Sequence, residues 1–329
     1  MKTIPSIALA FTMTVTSTGA FAAPKFAPAL PATPHHKAYS SLAALWWQWA
    51  VGTPANVNPV LDQTGANCAV NQPVPGVFLL AGSFSSGTIQ RTCTVPVGTS
   101  FLVPMLNDAY FAQQTDPPDQ RTEAFVRSQV HCVEQSPSLL LSVDGTSLTN
   151  PTSYLEHSDL FSVTLPANNV FGVPPQLLSP SADEGYYGFV EPLSPGAHTV
   201  HIASASGCGV TEDVTYTLNV QGTVGTPVSC SGFQQLNLQN VDIQSTGVAL
   251  TVSGNCSVHV TNSVLWGETS GIVIHDQGHV IVDSSSVGGG TSVSADGHGH
   301  GELRNSTVLG KIVTGPFAVV SDSGGNVGF

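Results

Sequence analysis

The last hundred residues of the chain repeat, and few folds can absorb such a pattern. Five segments superpose at steps of about 22, 22, 21 and 18 residues: SGFQQLNLQNVDIQS (231–245), SGNCSVHVTNSVLWG (253–267), HDQGHVIVDSSSVGG (275–289), DGHGHGELRNSTVLG (296–310) and TGPFAVVSDSGGNVG (314–328). A period in this range is that of a solenoid, in which each turn buries its apolar residues only against its neighbours. The sixth column is Leu236, Val258, Val280 and Gly301; the eighth is Leu238, Val260, Val282 and Leu303; the thirteenth is Ile243, Leu265, Val287 and Val308. Between segments a third strand supplies Leu250/Val252, Ile272/Ile274 and Val293/Ala295. Short strands with apolar residues at alternate positions, three per turn, describe a parallel β-helix of about five rungs. The tenth column, Asn240, Asn262, Ser284, Asn305 and Ser323, predicts a corner where like side chains hydrogen-bond to the copies above and below. In the last segment the alignment places Ser321 inward and leaves Phe317, Val319 and Phe329 for end-on contacts.

Upstream, the pattern changes. Tyr39, Leu42, Ala43, Trp46 and Trp49 recur at helical steps, which predicts a helix over about Ala38–Ala50. Its Trp46, Trp47 and Trp49 suit packing on a sheet, with a sugar-stacking platform as the alternative. Short β-branched and aromatic runs then alternate with turn residues: Val77–Leu80, Thr92–Val97, Phe101–Pro104, Leu139–Val143, Phe161–Leu165, Tyr186–Val190, Thr199–Ala203 and Val214–Val220. That spacing predicts a β-sandwich over 38–222, interrupted by a helix near Thr122–Val133 that Asp116, Pro117-Pro118 and Asp119 would start. Gln221–Thr226 is expected to be a linker to the β-helix domain, 223–329.

Charge narrows the function classes. Lys and Arg number 8 against 21 Asp and Glu, a net charge of −13, and charged residues are 9% of the chain. A nucleic-acid binder needs a basic stripe to neutralise phosphates, and none is present. Lys2, the mainly apolar Ile4–Val15 and the small-x-small Ala20-Phe21-Ala22 predict a signal peptide over 1–22, followed by a Pro- and Ala-rich disordered leader over 23–37. No apolar run is long enough to span a bilayer, so the expected location is exported, periplasmic or extracellular. Six cysteines in an exported chain predict three disulfides; six allow fifteen pairings, of which Cys68–Cys93, Cys132–Cys208 and Cys230–Cys256 are the expected set. The last has the firmest ground: both cysteines take inward positions on consecutive rungs, about 4.8 Å apart.

Two resemblances add to this. Leu45-Trp-Trp-Gln-Trp-Ala50, Asn58-Pro59, Asp62-x-Thr-Gly65, Cys68 and Arg91-Thr-Cys-Thr-Val95, with Asp183-Glu-Gly-Tyr-Tyr187 and Leu193–Val200, resemble a group of exported bacterial proteins of unknown function. That likeness covers about 38–222 and implies a bacterial, exported, sandwich-like domain without a transferable catalytic residue. The repeats are similar to the right-handed parallel β-helix class that includes polysaccharide lyases and hydrolases, a likeness of architecture alone.

Odd-numbered columns should point outward and would gather His259, His279, His298, His300 and Glu302 as a ligand-binding face. His279 and His300, one rung apart, are the candidates for a divalent metal such as Zn²⁺ or Cu²⁺. Glycoside hydrolysis needs two carboxylates, and Asp276, Asp283, Asp296 and Glu302 are available. Lyase chemistry on acidic sugars needs basic groups, and the repeats hold only Arg304 and Lys311. Asn107-Asp108, Asp116 and Asp119 share one loop in this reading and offer oxygen ligands for Ca²⁺, although helix capping explains the last two more simply. The expectation is an all-β protein: a disulfide-linked sandwich with an N-terminal helix, then a short right-handed parallel β-helix. Its expected role is non-enzymatic binding of a polysaccharide or surface matrix. The alternatives are a carbohydrate-active enzyme and a structural assembly protein.

Overall fold

The computed structural model describes Phe26 and residues 37–74, 76–84 and 87–326. The expected signal peptide and most of the leader lie outside the described residues. Phe26 is an exception: it bridges to the backbone of Val190 and packs against the sandwich core. Among the described residues no helix is long and apolar enough to cross a membrane.

The first part of the chain builds two facing sheets. Sheet I runs β1 (Val77–Leu79), β3 (Ser100–Gln113), β8 (Leu177–Val190), β6 (Leu155–His157), with β7 (Phe161–Thr164) also paired to β8. Sheet II runs β2 (Ile89–Pro96), β10 (Thr211–Gln221), β9 (Gly196–Ala205), β4 (Leu141–Val143), β5 (Thr146–Ser147). The β1–β3 and β2–β10 pairs are parallel and the others antiparallel. Sheet II has one covered face, so β2 alternates buried and exposed residues along its length. Sheet I is covered on both. From Ser181 to Val190 every residue of β8 is buried, because helix α1 (Lys37–Gly52) packs on the face turned away from sheet II.

The tryptophans belong to that packing. Trp46, Trp47 and Trp49 are 1%, 6% and 4% exposed, which removes the stacking platform. Each buried indole N–H finds an acceptor: Leu80 O, Asp183 Oδ1 and Val70 O. Arg91 is buried in the same way. Its guanidinium donates to the carbonyls of Asp62, Val60, Ala81 and Gly82 and to the Tyr216 hydroxyl.

Three expectations change here. Helix α2 spans only Glu123–Ser128, and its cap is Thr122, whose hydroxyl accepts the N–H of Phe125; Asp119 lies in the preceding short 3₁₀ turn. Asn107-Asp108 is not a loop but part of β3, so Asp108, Asp116 and Asp119 do not share one; Asp116 accepts the N–H of Gln113 in a turn. Gln221–Thr226 is not a linker. Strand β10 runs to Gln221, and β11 (Thr223–Gly225) at once pairs with β14 (Val241–Ser245) in the solenoid.

The repeats form a parallel β-helix. Its most regular wall is a five-stranded parallel sheet of β13 (Gln235–Gln239), β16 (Ser257–Thr261), β18 (His279–Asp283), β20 (His300–Arg304) and β22 (Val319–Asp322). The other walls hold β11, β12 (Val228–Cys230), β14, β15 (Val248–Val252), β17 (Val264–Ile274), β19 (Ser286–Ala295) and β21 (Thr307–Thr314). The aliphatic columns, with Cys230 and Cys256, form one continuous core. The last segment sits one residue off the expected alignment. Val319 pairs with His300 and Ser321 with Glu302, so Val320 joins the core rather than Ser321.

The tenth column does not form the expected side-chain stack. Asn240, Asn262, Ser284 and Asn305 have φ of 53°, 46°, 49° and 50°, the left-handed corner that Asn tolerates best among non-glycine residues. The ladder lies one position later. Ser263, Ser285 and Ser306 are buried; their hydroxyls accept the N–H of Val241, Ser263 and Ser285 on the preceding rung and donate to the carbonyls of Thr261, Asp283 and Arg304. Asn326 Oδ1 closes the series by accepting the N–H of Ser306.

The sandwich lies along this corner. A Cβ on Gly98 (φ +87°) would stand 2.6 Å from the Ser263 carbonyl oxygen, and one on Gly76 (φ +75°) 2.8 Å from that of Asn305. Thr223 donates to the Asn240 carbonyl at 2.9 Å, and the Ser100 and Thr307 hydroxyls are 3.4 Å apart. Val264 and Trp266 pack into the sandwich core. Disulfides join Cys68 to Cys93, Cys132 to Cys208 and Cys230 to Cys256.

Candidate functional site

The outward positions of the five-stranded wall are fixed by the two-residue period of its strands. Successive rungs present Gln235, Asn237 and Gln239; Ser257, His259 and Thr261; His279, Ile281 and Asp283; His300, Glu302 and Arg304. The fifth rung presents Val319 and Ser321, so Ile281 and Val319 are the apolar side chains of this face. Neighbouring strands are about 4.8 Å apart, so like positions stack into columns. His279 and His300 are in register, with ring centroids 5.0 Å apart in an edge-to-face arrangement. Burial, then the neighbouring His300, lowers the pKa of His279, while Glu302 opposes them. His259 lies one column over, in line with Ile281 and Glu302, and its Nε2 is buried without a hydrogen-bond partner. His298 sits in the turn before β20, its ring centroid 5.5 Å from that of Phe317.

The four carboxylates proposed for catalysis each have a local partner. Asp283 accepts from the Ser284 hydroxyl, the Asn305 amide and, at 3.0 Å, the Arg304 guanidinium. These donors outweigh its burial and lower its pKa. Asp296 pairs with His275 Nδ1 at 2.8 Å across a corner. Asp276 has φ 58° and accepts the N–H of Gly254. Glu302 accepts from the Ser323 hydroxyl and lies 4.0 Å from Arg304. The face is a polar grid held in place by its own neighbours.

A second cluster forms where sequence reasoning saw none. Antiparallel pairing sets Asp108 of β3 opposite Glu184 of β8, and β6 sets His157 on the other side of Glu184. His157 Nδ1 lies 3.1 Å from Glu184 Oε2, and His131 Nδ1 lies 3.5 Å from the same oxygen and 3.8 Å from Glu134 Oε1. The Glu184 side chain is 1% exposed, and its Oε1 has no hydrogen-bond partner. Burial, followed by the carboxyls of Glu134 and Asp108, pushes its pKa up to about 8. Asp183 faces α1 instead, accepting from Trp47 at 2.6 Å and from the Tyr187 hydroxyl at 3.0 Å. Burial dominates there too and raises its pKa well above the carboxylate range. Among the described residues, His131, Glu134 and Glu184 form a group of three ligand atoms close enough to share a metal. The one signal for this cluster was Asp183-Glu184 itself, two acids inside a strand-like run.

No family model, curated protein or solved structure matches the chain.

Proposed function

We propose that this is an exported binding protein that presents the outer face of the five-stranded β-helix wall to a polar polymer, a glycan or a surface matrix. The observation that carries the reading is the grid of Gln, Asn, Ser, Thr, His, Asp, Glu and Arg side chains in register on one parallel sheet. Such a grid offers hydrogen-bond donors and acceptors at a fixed repeat, which suits hydroxyl-rich ligands of repeating structure. The disulfides and the apolar stretch Ile4–Val15 support export. A carbohydrate-active enzyme and an assembly protein remain the competing classes.

A glycan array, followed by pull-down on insoluble polysaccharides, tests the reading. The chain is expected to retain at least one glycan class, and the triple variant His259→Ala, His279→Ala, His300→Ala to lose it. Retention by that variant equal to the parent's would reject the face as the site. Release of reducing ends or of absorbing uronates from the bound glycan would favour the enzyme instead.

A further inference from the structure

The geometry points to a divalent transition-metal site formed by His131, Glu134 and Glu184, best matched to Zn²⁺. This site is separate from the β-helix face. One ligand atom from each residue lies within 4.8 Å of the other two. Zn²⁺ bonds of ~2.0–2.2 Å in a tetrahedral site put ligand atoms ~3.4 Å apart. His131 Nδ1 stands 3.5 Å from Glu184 Oε2 and 3.8 Å from Glu134 Oε1, so little adjustment is needed.

A second observation concerns charge. Glu184 is 1% exposed, one of its oxygens has no hydrogen-bond partner, and the basic groups within ion-pair distance are imidazoles. A buried carboxyl with another carboxyl beside it is relieved either by holding a proton or by a bound cation, and a metal ion would displace that proton. The donor set decides which metal. One imidazole with two carboxylates suits Zn²⁺, whereas Ca²⁺ prefers six to eight oxygens. His131 and Glu134 are 59% and 48% exposed, which leaves a further coordination position to solvent.

The cluster is also held from behind. His131 and Glu134 flank Cys132, whose disulfide to Cys208 ties this loop to the turn between β9 and β10. The N–H of Cys132 bonds to the Asp108 carboxyl, and Gln135 donates back to the Cys132 carbonyl. Glu184 sits on the central strand of sheet I, bordered by β3 and β6. Two ligands on a cross-linked loop and a third on a buried strand make a preorganised site.

The experiment uses the untagged, chelator-stripped full chain titrated with ZnCl₂ by calorimetry and followed by thermal unfolding. One Zn²⁺ per chain and a rise in Tm are expected, with no comparable response to CaCl₂. His131→Ala and Glu134→Gln should each weaken binding more than ~10-fold, the loss that even an outer-sphere contact produces. Both positions are half-exposed, so the variants should keep the metal-free Tm. His279→Ala should bind as the parent does. Absence of stoichiometric binding, or full binding in the double variant His131→Ala/Glu134→Gln, would overturn the proposal.

Discussion

Asp183 and Glu184 are consecutive on β8 and face opposite sides of one sheet. The first is sealed under the indole of Trp47, and the second faces His157 and His131. The Trp47–Asp183 bond spans 136 residues of sequence and links α1 to the central strand, so it is a long-range contact in a dry environment. Trp47→Phe keeps most of the apolar volume but leaves a buried carboxyl short of one donor. The expected cost is ~1–3 kcal/mol in urea unfolding, as for an orphaned buried acceptor. A change below ~0.5 kcal/mol, the usual scatter for surface substitutions, would mean that the bond contributes nothing net.

Glu212 makes stability depend on pH. Burial raises its pKa from 4.5 to about 7, against the opposing pull of the Ser83 N–H and Arg91. The folded protein therefore holds a proton that the unfolded chain has released between those two values. Stability from this group is fully present below pH 4.5 and is lost as pH rises towards about 7. The loss is at most ~3 kcal/mol, less what residual solvent screens. Unfolding free energies at pH 5 and pH 8 should differ less in Glu212→Gln than in the parent. An identical difference in the two proteins would count against this assignment.

The serine ladder gives a residue-level readout. Ser285 accepts the N–H of Ser263 and donates to the carbonyl of Asp283. Ser285→Ala deprives both groups at a buried corner and should cost ~1–3 kcal/mol. Amide exchange at Ser263 should accelerate in this variant while β2 and β10 stay protected. Exchange at Ser263 unaltered by the substitution would show that water replaces the hydroxyl freely.

Cys230 and Cys256 lie 26 residues apart and bind the first two rungs. Loop-closure entropy assigns such a bridge ~3.5 kcal/mol. Replacing both by Ser should lower Tm and increase amide exchange first at Leu250–Val252, next to Cys230. Loss of protection spread evenly over the sandwich would contradict a local effect.

Much of the β-helix was legible because its columns are written directly in the sequence. The core positions from Leu236 to Val308 are where the pattern puts them. The final segment slipped because Ala318 and Val320 offer the same alternation as their neighbours, and Gly324-Gly325 gives no side chain to fix the register. The corner ladder runs through Ser263, Ser285 and Ser306, one column after Asn, although the Asn side chain has the larger hydrogen-bonding capacity. Its actual role at Asn240, Asn262 and Asn305 is backbone conformation, which composition does not separate from hydrogen bonding. The His131 cluster was hidden for a different reason. His131, His157 and Glu184 come from a loop and two strands, and only sheet pairing brings them together. The polarity of Asn107-Asp108 suggests a turn, whereas the pair continues β3 in its half-buried stretch.

The contacts of Thr223, Gly98 and Gly76 with Asn240, Ser263 and Asn305 fall at the first, second and fourth levels along one edge of the solenoid. A solenoid free on all sides tolerates gain or loss of whole turns, since each meets only its neighbours. Here the sandwich acts as a ruler. An extra turn between Asn240 and Asn305 would move two docking points apart by about 4.8 Å, and a deleted one would bring them together by as much. The length of this solenoid is therefore gauged by a second domain, and its natural variation should be confined to turns beyond Asn305.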